Sequence, residues 1–517
     1  MISDNRSIQQ LAALLIAHDI KQAVLCPGSR NAAITHTLTQ LPEIQTYTLT
    51  DERSAGFFAL GLAQAFRRPV AICVTSGSAL LNLHPAVAEA YYQHIPLIVI
   101  SADRPQAWIN QMDGQTLPQP GVFRTLVRKS VQLPEIHTPT DDWHANRLIN
   151  EALLAAARRE GGPVHINIPI AEPFYEFHTE QLPEVRVIRQ GSCPDLSDKK
   201  CLIIVGQQQD DLPLPQGYAV LSEHIGNLQG GIRGNLDTLI AAIPEEETAA
   251  YRPEVVITLG GHIVSKQLKR FLRNHPPRHH IHVSPAGEVA DVFQCLTHIV
   301  AQTAKDFLLA LPSQQHTAMR YAGQWEQLAE RARAAQAQAT ADEEEQAVGT
   351  LIRRLPADAV LHVANSSAVR LIEKFPLRPS VKVLCNRGVN GIEGSLSTAV
   401  GYAAALPERS NFVIIGDLSF FYDQNALWNR ALPQNLHILL LNNGGGRIFD
   451  TLPIPDDERS RQAICGTHCT AAEPVCRQYG LRYLQGLENM DAFLSSSQSI
   501  LLEINHHNHH HEKLENH

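Results

Sequence analysis

The chain has 517 residues, which at a rough 150 residues per domain makes about three domains. Hydrophobic residues make up 44% and charged ones 18%, an ordinary globular composition that excludes a disordered or fibrous chain. With 43 Lys plus Arg against 52 Asp plus Glu the net charge is −9, so no basic excess marks a nucleic-acid or anionic-membrane surface.

The start, MISDNRSIQQ, lacks the basic and apolar regions of a signal peptide. No apolar run reaches the roughly 18 residues of a membrane span. Nine Cys lie singly between Cys26 and Cys476, as suits reduced thiols. Together these features predict a cytoplasmic protein.

The first third alternates β-type runs with helix-type segments: AVLCPGS, then FFALGLAQAF, PVAICVTSG, PLIVISADRP and PVHINIPI. Continuous apolar strands separated by helices predict a parallel sheet covered on both faces. A Pro-rich, polar stretch from Ala171 to Lys200 interrupts the pattern, and CLIIVGQ, AVLSEHIG, EVVITLGG and HIHVSP predict a second α/β series ending near Pro312. A helical segment rich in Ala, Gln and Arg follows around Gln324 to Ala339. The last third restarts with AVLHVANS, KVLCNRG, NFVIIGDLS and HILLLNNGGG. Gly61, Ala63 and Ala65 match Gly401, Ala403 and Ala405 at a constant offset of 340, which suggests a duplicated fold enclosing a middle domain, although any βαβ unit gives some such match.

The most specific local signal is Gly416-Asp417-Leu418-Ser419 followed, one strand-helix-strand step later, by Asn442-Asn443-Gly444-Gly445. Each half sits at the C-terminal edge of an apolar strand, where open α/β sheets bind ligands. An Asp carboxylate, an Asn amide oxygen and a backbone carbonyl are hard donors of the kind Mg²⁺ prefers beside phosphate oxygens. Either half alone is also a common turn dipeptide. Together they resemble the thiamine diphosphate motif, GDG through NN, with Leu418 in place of the last Gly of GDG. In the first third, Thr50-Asp51-Glu52-Arg53 stands between the strand-like IQTYTL and a helix predicted to begin near Ser54. Acids there favour the positive end of a helix.

CPGSRNAAIT, TDERSAGFFALGLA, TSGSALLNLHPA, SADRP, QPGVF, ANSSAVRLIE, NRGVNGIEGSLSTA, GDLSFFYDQNAL and NNGGGRIF run from about Cys26 to Leu452. In these motifs the chain resembles the 2-succinyl-5-enolpyruvyl-6-hydroxy-3-cyclohexene-1-carboxylate (SEPHCHC) synthases of menaquinone biosynthesis, whose own version of the metal turn is GDLS. The resemblance implies an α/β fold of three doubly wound parallel-sheet domains of the thiamine diphosphate-dependent enzyme type. The His-rich composition of 506–517 predicts a disordered tail, and the resemblance divides the rest of the chain into a pyrimidine-binding domain over 1–175, a central α/β domain over 185–325 and a diphosphate-binding domain over 340–505. It implies a carboligase, a transferase in which the thiamine diphosphate ylide attacks 2-oxoglutarate, CO₂ leaves, and the carbanion equivalent adds to isochorismate. A homodimer or homotetramer with the active site at a subunit interface is the implied assembly.

The family's roles carry over residue by residue. Glu52 is the implied catalytic carboxylate, which promotes the imino tautomer of the cofactor. Ser76, Gly77, Ile392, Asp417, Leu418, Ser419 and Asn443 are implied cofactor contacts, and Asp417, Asn443 and Gly445 hold Mg²⁺ or Mn²⁺. Arg30, Arg104, Arg370 and Arg387 suit two substrates that each carry two carboxylates, because a guanidinium binds a carboxylate bidentately. Ser29, Gln115 and Ser366 are polar contacts, and Ile448, Phe449 and Leu452 apolar ones. Gly114 and Gln267 depart from the family's Asn and Arg; Lys266, Lys269 or Arg270 are candidates to compensate. Cys465, His468, Cys469 and Cys476 match no standard zinc spacing and read as ordinary residues of a segment covering the active site.

Three other readings remain to be weighed. An acetolactate synthase-like carboligase using pyruvate would need fewer site Arg. A non-catalytic relative would have no chemical reason to keep Glu52, Asp417 and Asn443. A dinucleotide binder would need a G-x-G-x-x-G after a strand, and none is present.

Overall fold

The computed structural model describes residues 1–505 apart from 159, 192, 338–340, 429–431, 447, 450–452 and 456. Three parallel sheets carry the fold, in two compact units. The first unit is Met1–Ser192 with Leu296–Ile299, and the second is the remainder.

In the first unit, β1 (Gln22–Leu25), β2 (Gln45–Thr48), β3 (Val70–Val74), β4 (Leu97–Asp103), β5 (Lys129–Gln132) and β6 (Val164–Pro169) form a sheet in the order β2-β1-β3-β4-β6-β5. Every ladder is parallel. β3, β4 and β6 are buried along their whole length; β3 is apolar on both faces, while the polar residues of β4 and β6, Ser101, Asp103, His165 and Asn167, are buried and hydrogen-bonded to one another. Among its described residues, the Ala171 to Lys200 stretch carries an antiparallel bridge from Thr179 to Ile2 and the two-residue β7 (Arg189–Gln190), which pairs with β13 (His298–Val300).

In the second unit, β8 (Cys201–Val205), β9 (Ala219–Ser222), β10 (Ile232–Arg233), β11 (Val255–Leu259) and β12 (His279–Val283) run parallel in the order β10-β9-β8-β11-β12. The predicted helix near Gln324 spans His316–Ala337 and packs Tyr321, Trp325 and Leu328 into this layer's core. The last sheet, β14 (Val360–Val363), β15 (Lys382–Leu384), β16 (Asn411–Gly416), β17 (Leu436–Asn442), β18 (Arg482–Gln485) and β19 (Ile500–Asn505), has the order β15-β14-β16-β17-β19-β18. That is the strand order of the first sheet, so the duplication suggested by the offset of 340 is present in the topology. In both sheets the winding reverses between the first and third strands. The carboxyl ends of β1 and β3, and of β14 and β16, are therefore the expected ligand crevices.

The helix expected from Ser54 starts two residues earlier, over Glu52–Phe66, because Asp51 is its N-cap and accepts from the Ser54 N–H at 3.1 Å. Its buried stripe is Ala55, Gly56, Ala59, Leu60 and Ala63. A Cβ at Gly56 would lie 2.8 Å from that of Ala86 on the neighbouring helix His84–Tyr92, so the small residues set how closely the two helices pack. Among the described residues no helix is long and apolar enough to cross a membrane.

Buried histidines give the fold a pH dependence. His165 on β6 is fully buried, with Nε2 2.8 Å from Ser101 Oγ, and burial pushes its pKa down to about 3 from 6.5. Below pH 6.5 the unfolded chain takes up a proton at this position that the folded chain refuses until about pH 3, so acidification costs stability across that window. The stability advantage of wild type over His165→Asn is expected to shrink by up to about 1.4 kcal/mol per pH unit. Chemical denaturation at about pH 7, 6 and 5 measures it.

Candidate active site

At the carboxyl edge of the first sheet, Glu52 follows β2 and begins its helix. Asp51 provides the cap, which leaves the Glu52 carboxylate for a contact beyond the helix; Oε2 accepts from Asn82 Nδ2 at 3.1 Å. Ser76 and Gly77 follow β3. Gly77 has φ +84°, and its N–H donates to Gln119 Oε1 at 2.8 Å. Gln119 is fully buried and donates to Asn167 Oδ1 and Ala102 O, so the turn after β3 is anchored to β4 and β6. Ser29 is exposed after β1, whereas Arg30 is 4% exposed, bonded to Ile170 O at 3.0 Å and Glu172 Oε1 at 3.2 Å, with its guanidinium over the Phe174 ring. Arg104, after β4, is held by Gly114 O and Asp113, while Gln115 is exposed at φ +55°.

At the edge of the last sheet, Asp417 follows β16 and the Asn443 turn follows β17. Asp417 Oδ2 accepts from the N–H groups of Asn443 (3.1 Å), Gly444 (2.8 Å) and Gly445 (2.9 Å), and Oδ1 from that of Leu418 (2.6 Å). The carboxylate is 2% exposed. Burial raises its pKa, against the pull of the Leu418 and Gly445 N–H groups and of His468, whose Nε2 is 3.4 Å from Oδ2. A buried carboxylate bonded to a turn that also carries an Asn amide oxygen and glycine carbonyls offers the hard donor types that suit a small divalent cation. Ser419 is buried behind Asp417 and Ile392 is exposed. Ile448 and Phe449 are half-buried. A Cβ at Gly446 would meet Phe449 Cδ2 at 2.7 Å, so any larger residue there would force the Phe449 ring to move. Leu452 lies outside the described residues.

Two of the four predicted arginines share this unit. Ser366, at φ +66°, accepts through its carbonyl from Arg370 Nη1 at 2.6 Å. Arg387 is 7% exposed; Nη1 donates to Asn365 Oδ1 at 3.0 Å, and Nε is buried with no partner. Burial lowers the pKa of Arg370, and the Arg387 charge lowers it further. Lys269 experiences the same field: burial lowers its pKa first, Glu223 opposes, and Arg387 and Arg370 add to the lowering. Of the three residues considered as replacements for an Arg at Gln267, Lys269 is therefore the one in electrostatic reach of this cluster, while Lys266 and Arg270 are exposed.

Several site residues carried no local sequence signal. Asn443 Nδ2 donates to Glu344 at 2.9 Å, and Asn442 Nδ2 donates to Glu503 at 2.6 Å. Glu344 sits in an acidic helix start and Glu503 in an apolar strand, so only tertiary proximity reveals them. Cys465 and Cys476 are buried and Cys469 exposed. Among the described residues the one group of three or more metal-type donors is His280, Asp291 and Cys295 in the middle layer, not the cysteine segment.

The strand order and the Asp417 turn are those of a cofactor-binding α/β enzyme. Residues 6–122 match the family model described as thiamine pyrophosphate enzyme, N-terminal TPP binding domain. The chain is a thiamine diphosphate-dependent enzyme. A relative from Bacteroides fragilis is 50% identical over 98% of this chain and 96% of its own length. One from Phocaeicola vulgatus is 49% identical over the same shares, and one from Cytophaga hutchinsonii 36% identical over 96% of each chain. All three are 2-succinyl-5-enolpyruvyl-6-hydroxy-3-cyclohexene-1-carboxylate synthases, and the chain belongs to that family.

Proposed function

We propose that the protein joins the decarboxylated remainder of 2-oxoglutarate to isochorismate, giving SEPHCHC and CO₂ in menaquinone biosynthesis. The observation that carries this reading is the cationic group of buried Arg387 and half-buried Arg370 and Lys269, suited to substrates bearing several carboxylates, in the unit that also holds the Asp417 turn. Pyruvate, with one carboxylate, leaves most of these charges unanswered. Bound thiamine diphosphate supplies an electron sink for the carbon left by decarboxylation.

The residues of the chain then have separate tasks. Glu52 would hold a proton at a ring nitrogen of the aminopyrimidine. Asp417, Asn443 Oδ1 and the Gly445 carbonyl would hold Mg²⁺ or Mn²⁺. Ser76, Gly77, Leu418 and Ser419 would line the cofactor and Ile392 would prop it. Ser29, Arg30, Arg104, Gln115, Ser366, Arg370 and Arg387 would orient the carboxylates and hydroxyls, with Ile448, Phe449 and Leu452 excluding water. The proposed division is 1–175 for the pyrimidine domain, 185–325 for the central domain and 340–505 for the diphosphate domain.

At least a homodimer, with the active site at a subunit interface, belongs to the proposal. Phe57, Phe58 and Phe66 support it, because all three are exposed on the helix that Glu52 begins. A cytoplasmic location fits the nine free cysteines.

Donor selectivity tests the reading. With isochorismate as acceptor, kcat/KM for 2-oxoglutarate is expected to exceed that for pyruvate by at least about 100-fold, the ~3 kcal/mol of one buried charge-assisted contact. Equal use of the two donors would point to an acetolactate synthase-like enzyme.

A further inference from the structure

Asn443 can serve a cation only if its amide presents oxygen rather than nitrogen, and the two ends of an amide differ in hydrogen-bonding role alone. What fixes the choice is the partner of the other end. Glu344 lies in the first turn of the helix Glu343–Arg354, ninety-nine residues earlier in the chain, and accepts from Asn443 Nδ2 at 2.9 Å. Its neighbours in the acidic run have ordinary surface roles: Glu343 is exposed, and Glu345 is half-buried and pairs with Lys374. Glu344 is 4% exposed. Favourable charge at a helix start explains acids at the surface of that turn; it does not explain burying one of them, which needs specific partners.

We infer that Glu344 is a positioning residue for the metal turn, docking the Asn443 amide nitrogen so that Oδ1 is left for the divalent cation. An ionised carboxylate only accepts hydrogen bonds, so an Asn443 amide turned end for end would set oxygen against oxygen and lose the contact. The preceding residue is held in the same manner: Asn442 Nδ2 donates to Glu503, which is fully buried and also accepts from Tyr483 Oη at 2.6 Å. Two consecutive amides at the end of β17 are thus each seated on a buried carboxylate, while the backbone N–H groups of Asn443, Gly444 and Gly445 fix Asp417. Partners behind the ligands of a metal orient them and tune affinity, commonly by 10- to 100-fold. The inference rests on the proposal that Asp417 and Asn443 hold the metal.

The test is Mn²⁺ binding followed by electron paramagnetic resonance on the full-length protein with thiamine diphosphate present, for wild type, Glu344→Leu, Glu344→Asp, Glu344→Gln and Asp417→Ala. Glu344→Leu removes the acceptor and is expected to weaken Mn²⁺ binding about 10- to 100-fold. Glu344→Asp keeps the charge and the helix start but shortens the reach by a methylene, and is expected to weaken binding in the same direction even if the Leu variant fails to fold. Glu344→Gln keeps the length and an acceptor oxygen but adds a donor, so it no longer discriminates between the two ends of the Asn443 amide, and it is expected to weaken Mn²⁺ binding by less than Glu344→Leu does. Melting temperatures without metal or cofactor separate loss of fold from loss of orientation. Wild-type affinity in the Leu or Asp variant, or weaker binding by the Gln variant than by the Leu variant, would overturn the inference. Absence of Mn²⁺ binding by wild type, or unchanged binding by Asp417→Ala, would instead overturn the metal site on which it rests.

Discussion

Glu52→Gln is expected to bind thiamine diphosphate and lose nearly all turnover. Gln has the same shape, keeps an oxygen for the contact with Asn82 Nδ2 and leaves the Asp51 cap untouched, so the helix Glu52–Phe66 should form as before. What it cannot do is hold and release the proton that the proposed role requires. Loss of a positioned acid-base group typically costs about 10²- to 10⁴-fold in rate, and a reduction in kcat of that size is expected here. Cofactor-dependent thermal shift measures retention, and the rate of isochorismate loss measures turnover. A variant with wild-type turnover would remove Glu52 from the catalytic role.

Arg387→Ala should separate substrate use from cofactor binding. The guanidinium is almost wholly buried, with Nη1 donating to Asn365 Oδ1, and among the described residues Nε has no partner. A buried cation left in that condition is costly unless a ligand completes it. Truncating one member of a buried charge pair costs roughly 2–5 kcal/mol, so kcat/KM is expected to fall about 30- to 5,000-fold. Affinity for thiamine diphosphate should stay within about threefold, since Arg387 follows β15 and not the Asp417 turn. Loss of cofactor binding equal to the loss of substrate use would contradict a substrate role, provided the melting temperature is unchanged.

Much of this was legible in the sequence because parallel strands buried on both faces advertise themselves. VAICV, LIVISAD and HILLL lack the alternation that would have left their class ambiguous. The Asp417 and Asn443 turns were legible for a related reason: each closes such a strand, and their chain separation fits one crossover. Other residues were hidden by physics rather than by poor patterning. The start of the helix at Glu52 depended on which of two adjacent acids caps it, a question settled by where Asp51 points. Gln119 read only as part of QPGVF, although its buried amide ties Gly77 to β4 and β6. Glu344 looked like one more acid at a helix start, and its contact lies ninety-nine residues away. The cysteine segment offered donor types without the geometry, whereas His280 on a strand and Asp291 and Cys295 in the loop after it have donor atoms within 4.8 Å of one another without any recognised ligand spacing.

The most direct measurement is turnover with thiamine diphosphate, Mg²⁺, 2-oxoglutarate and isochorismate, following isochorismate by absorbance and omitting each component in turn. Loss of isochorismate that requires all four is the expected result. No loss from a protein that binds thiamine diphosphate normally would contradict the proposed reaction, and would move the search to a different acceptor or 2-oxo acid on the same cofactor site.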